Sequence, residues 1–135
     1  MQRIRSLLCC ALAVGTIALP AHTKADTQNS MTAASCAQYQ KAQQQLAQVY
    51  SQVRKMHAAD TDFIARLEAA EQAWANFRDA EIKAVYPSQD ASEYGSSQPM
   101  CQCSLLTQLT QQRILQLQAW LKPSEGDVCA GSRTK

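Results

Sequence analysis

The chain has 135 residues, 46% of them hydrophobic but only 6% aromatic, so it is long enough for one domain whose core rests on few large side chains. Its formal charge of +2 comes from 13 basic against 11 acidic residues. Arg3, Arg5 and Lys24 lie in the first 25 residues and no acid does; the remainder therefore carries −1, and a nucleic-acid binder with a concentrated basic face loses its support.

Met1–Ala25 reads as a signal peptide. Arg3 and Arg5 form a basic start, Leu7 to Leu19 is an apolar run, and Thr23 and Ala25 are the small residues that precede cleavage. The run is too short for a permanent transmembrane helix, so the expected product is periplasmic or secreted, with no stable membrane span after cleavage. Cys9 and Cys10 leave with the peptide. Cys36, Cys101, Cys103 and Cys129 remain, an even set for which disulfides are the default in an oxidising compartment.

Residues 26–34 are small and polar and read as a disordered lead-in. From Ser35 to about His57 a helical seam follows, with Tyr39, Ala42, Leu46, Val49, Val53 and Met56 at steps of three and four and glutamines on the opposite face. The segment from Ala58 to Asp62 is a turn in which Asp60 or Thr61 caps the next helix. Such a short connection makes the first two helices antiparallel.

The central helix, LEAAEQAWANFRDAEIKAVY from Leu67 to Tyr86, has neither Gly nor Pro. Phe63, Ile64, Leu67, Ala70, Trp74, Phe77, Ile82 and Val85 draw a stripe down it, and the Trp74 and Phe77 rings are expected to define the core. Pro87 ends this helix, residues 88–99 form a loop with Gly95 left-handed, and a third helix runs from near Cys103 to Lys122. Residues 123–135 form a polar tail. The expected fold is all-α: a small three-helix antiparallel bundle over residues 35–122, stapled by one or two disulfides.

In an up-down-up bundle the starts of the first and third helices share one end, so Cys36 reaches Cys103 or Cys101 readily. Cys101 and Cys103 are too close in sequence to bridge each other. A bond to Cys129 requires a bent third helix or a tail laid along it, because a straight helix to Lys122 is about 28 Å long. A metal site on Cys101 and Cys103 would need further cysteine or histidine ligands nearby, and His57, the one histidine left after cleavage, falls at the other end. No metal or cofactor is expected.

The chain resembles the lysozyme inhibitor LprI-like N-terminal domain family of bacterial envelope proteins. The residues that carry the resemblance are Cys36 with Tyr50, then Glu71 to Glu81 (EQAWANFRDAE), Tyr94-Gly95-Ser96-Ser97, Cys101 or Cys103, and Leu109 to Arg113 (LTQQR). They cover roughly residues 33 to 122. Where the family places a cysteine directly after the glutamate this chain has Ile82, so its disulfides are not carried over. The resemblance implies a helical domain that inhibits lysozyme in the envelope.

No nucleophile, base and orienting group are placed for catalysis, so a non-enzymatic binding protein is expected. The family-motif residues Gln72, Trp74, Phe77, Arg78, Asp79, Glu81, Thr110 and Arg113 read first as bundle-fixing side chains. Direct partner contact is assigned to Asp90, Glu93 and Tyr94 on the loop, with Glu71 and Asp79 on the central helix. The expected partner is a lysozyme-type muramidase. The alternative is a structural or immunity-type envelope protein that binds a different protein.

Overall fold

The computed structural model describes residues 24–90 and 92–134. The signal peptide read from the sequence falls outside the described residues except for Lys24 and Ala25. Three helices make up the fold, with no strand among the described residues: α1, Lys24–Met56; α2, Thr61–Val85; and α3, Gln98–Leu121. A short 3-10 turn, Gly131–Thr134, follows. This is the expected all-α bundle, and no described helix is long and apolar enough to cross a membrane.

α1 starts earlier than the sequence suggested. Residues 26–34, expected as a disordered lead-in, continue the helix. They have a surface to lie on: Ser35 Oγ donates to the Met100 carbonyl at 3.0 Å, and Gln28 Nε2 approaches the Met100 sulfur at 4.0 Å. α3 also starts earlier, at Gln98, because Pro99 falls in its first turn, where a missing N–H costs nothing. At the tight α1–α2 turn, Asp60 Oδ1 accepts the Phe63 N–H at 2.9 Å, the cap read from the sequence.

α1 and α3 run parallel and supply most of the inter-helix packing. Cys36 and Cys103 join them as a disulfide, with Cα atoms 4.9 Å apart. The offset of 67 residues set by that bond places Ala42 level with Leu109. Here the buried residues are small: Ala42, Thr107 and Thr110. The threonine hydroxyls turn back onto their own helix, Thr107 to the Cys103 carbonyl at 2.8 Å and Thr110 to that of Leu106 at 2.7 Å, so burial leaves neither unsatisfied.

The core proper lies toward the other end, where Val49, Val53, Leu67, Ile114 and Leu117 form one buried cluster. Leu46, Tyr50, Phe63, Trp120 and Leu121 pack around it. The expectation that Trp74 and Phe77 define the core is therefore corrected. Phe77 is 52% exposed and Trp74 is half-buried, with the Arg78 guanidinium 5.3 Å over its ring. At 100° per residue, Leu67, Glu71, Trp74 and Arg78 share a face, while Phe77 sits about 80° off it. A step of four from Trp74 continues the inward stripe; the step of three taken from the sequence leads outside. Met56, placed on the α1 seam, is likewise 56% exposed at the end of its helix.

The tail folds back. Beyond Pro123, Gly126 and Gly131 adopt φ of 75° and 59°, Ala130 is buried, and the Arg133 guanidinium stands 5.4 Å over the Trp120 ring. Cys129 thus stays at the Trp120 end, while Cys101 lies in the first turn of α3. Both are exposed free thiols, so the second disulfide considered from the sequence does not form. The length of α3 separates them.

Candidate functional site

Two places gather the chemistry-bearing residues. The first is a cleft of about 470 Å³ between α1 and α2, lined by Gln43, Leu46, Tyr50, Glu71, Trp74 and Arg78 among others. It exists because α2 lies mainly against α3 and makes little contact with α1. Burial pushes the Tyr50 phenol above its ordinary value; the nearby Arg54 opposes the rise, while Glu68 and Glu71 add to it.

Across from this cleft, Arg113 on α3 reaches α2, its Nε donating to Glu71 Oε1 at 2.8 Å and its Nη1 to Gln116 Oε1 at 2.9 Å. The two charged side chains are only 14% and 18% exposed. This pair is the polar tie between α2 and α3, and it consumes Glu71, which the sequence offered as a partner contact.

The remaining motif residues divide. Thr110 is a buried packing residue, as above. Gln72 donates along its own helix to Asn76 Oδ1 at 3.1 Å, and Arg78 Nε to Asp79 Oδ1 at 2.8 Å; both are exposed contacts that tie nothing across the bundle. Phe77 and Asp79 face solvent, and Glu81 is half-buried one turn beyond Phe77.

The second place is the loop between α2 and α3. Asp90 Oδ1 accepts from the Ser92 N–H at 2.9 Å and from its hydroxyl at 2.7 Å, which holds the Asp90 carboxyl below its usual value. Glu93 is exposed. Tyr94, read from the sequence as a partner contact, folds back on the loop: its hydroxyl accepts the Ser88 N–H at 3.0 Å, and its ring meets Tyr86 edge-on at 5.3 Å. It shapes the loop. Burial raises the Tyr86 phenol, and the neighbouring Cys101 adds to the rise. Asp79, Asp90 and Glu93 are thus exposed, the first paired with Arg78 and the second bonded to Ser92, while Glu71 and Tyr94 are half-buried in their own contacts.

Sequence reasoning missed two features. One is the exposed apolar pair Phe77 and Val85, which flanks Glu81 on either side along the second half of α2. The other is a cavity beside Trp120, to which Arg133 contributes from a tail read as merely polar. Among the described residues, no group of three or more His, Cys, Asp or Glu side chains is arranged to hold a metal ion.

Two parallel helices joined by a disulfide, a helix between them in sequence tied on by an ion pair, and an open acidic-apolar edge make up the scaffold. The chain belongs to the family described as lysozyme inhibitor LprI, whose model matches residues 20–117. No curated protein and no solved structure matches it.

Proposed function

We propose that this protein is an exported, non-enzymatic inhibitor of lysozyme-type muramidases. Membership of the lysozyme inhibitor family is the observation that carries the reading. The edge made by the second half of α2 and the following loop supports it. There an exposed ring, Phe77, and the exposed Val85 are accompanied by the carboxylates of Asp79, Glu81, Asp90 and Glu93. An aromatic anchor beside an excess of carboxylates, of which Asp79 is paired with Arg78, suits a partner with a basic surface, which muramidases commonly have: the ring supplies affinity and the carboxylates speed encounter.

A turbidity assay on peptidoglycan tests the reading, using the chain from residue 26 onward. Lysis should slow in proportion to added protein until the enzyme is saturated, and added salt should weaken the effect by screening the carboxylates. Unchanged lysis at a hundredfold excess would refute the proposal. Recovery of a different protein on a pull-down in that case would favour a structural or immunity role instead.

A further inference from the structure

A cavity of about 770 Å³ opens at the other end of α2 from the Phe77 edge, between the first turns of α2, the last turns of α3 and the returning tail. We propose that it binds one amphipathic organic anion, a carboxylate or sulfonate on an apolar body. The head would be held by Arg66 and Arg133 and the body by Phe63, Leu67 and Trp120. Nothing in this proposal depends on the muramidase reading.

The size is that of a small-molecule pocket. Its floor is apolar and already ordered: Leu67 is buried in the core, and the Phe63 and Trp120 rings meet at 4.7 Å in a tilted, edge-on contact. His57 stacks on Phe63 from behind at 4.2 Å. An apolar body laid on that floor would find rings that need not rearrange to receive it.

The guanidinium groups that no carboxylate contacts set the sign of the ligand. Three guanidinium groups and two carboxylates, Asp60 and Asp62, line the cavity. Asp60 keeps its charge but spends Oδ1 on the Phe63 N–H as the helix cap, Asp62 lies in the first turn of α2 at the positive end of its dipole, and Arg113 is neutralised by Glu71. Arg66 and Arg133 take part in no ion pair among the described residues, whose salt bridges are Arg54–Glu68, Arg78–Asp79 and Arg113–Glu71. Arg133 stands over the Trp120 face, so its charge sits where the polar and apolar parts of an amphipathic ligand would meet. A cationic ligand of the same shape would meet two guanidinium groups that no carboxylate contacts, although Asp60 and Asp62 share the cavity with them. The tail is part of the site, because Ser132 and Arg133 join its lining only through the turn at Gly131.

The test uses the chain from residue 26 onward carrying Trp74→Phe, which leaves Trp120 as its one tryptophan. Dodecanoate and anilinonaphthalene sulfonate, below their aggregation concentrations, are titrated by calorimetry and by Trp120 emission, with dodecyltrimethylammonium as the cationic counterpart. At least one of the two anions should saturate at one per chain and bind at least tenfold tighter than the cation. Preference for dodecanoate would identify a chain-like body and preference for the sulfonate a ring-like one; either supports the site. Arg66→Gln and Arg133→Gln should each weaken binding about tenfold, whereas Arg54→Gln, whose side chain pairs with Glu68 outside the cavity, should leave it unchanged. Arg66→Gln spares the tail contact on Trp120 and so separates lost charge from a loosened tail. Equal binding of cation and anion, affinity untouched by Arg66→Gln, or no calorimetric binding of either anion would overturn the proposal.

Discussion

Phe77 and Arg78 show where a sequence stripe becomes ambiguous. Steps of three and four both satisfy helical spacing, and hydrophobicity favours Phe77; in the structure it is Arg78 that turns inward, its guanidinium standing over Trp74 and reaching Asp79. The same bias toward apolar residues hid Thr107 and left Thr110 to be read from the family resemblance; both hydroxyls bond to their own helix and so pack like small apolar groups. Residue-scale predictions follow from this relocation of the core. Leu117→Ala, at a site 1% exposed, should cost about 3 kcal/mol in urea denaturation, whereas Phe77→Ala should cost less than about 1 kcal/mol. Equal costs would place the core back at Phe77. Glu71→Ala should cost about 2 kcal/mol by leaving Arg113 half-buried without its carboxylate, and a second change, Arg113→Met, should recover part of that loss.

At the scale of elements, helix identity was legible because period, caps and proline stops agree locally: α2 begins at its Asp60 cap and stops before Pro87. Helix starts were less so. The early turns of α1 and α3 are polar or proline-bearing and owe their place to each other, through Ser35, Gln28 and Met100, which no local pattern encodes. Topology alone brought Cys36 to Cys103 or Cys101, and the structure forms the bond to Cys103. Closing a loop of 67 residues, it should contribute about 4 kcal/mol by restricting the unfolded chain, read as the stability lost in a Cys36→Ser, Cys103→Ser double variant. The half-buried phenols add a pH dependence. Tyr50 and Tyr86 have folded pKa values above the ordinary 10.0, so their contribution is complete below pH 10 and is lost as pH rises through the folded values. Urea midpoints measured from pH 8 to 11 should fall at the alkaline end, and less steeply in a Tyr50→Phe, Tyr86→Phe variant.

At the scale of the whole molecule, two thiols are exposed at opposite ends among the described residues, and geometry forbids their union within one chain. The chain from residue 26 onward, freshly freed of mild reductant, should react with two equivalents of a thiol reagent without denaturant; none would mean that the tail reaches the far end after all. The candidate binding edge was only half legible. Its acids could be read from the loop, but that Tyr94 folds back and Phe77 faces out depends on how α2 leans, a property of three helices together. The central claim is that this scaffold acts by occupying a muramidase through that edge. A titration of lysozyme-driven lysis with the wild-type chain and with Phe77→Ala tests it most directly. The account predicts saturable inhibition by the first and at least tenfold weaker inhibition by the equally folded second; identical curves, or no inhibition by either, would contradict it.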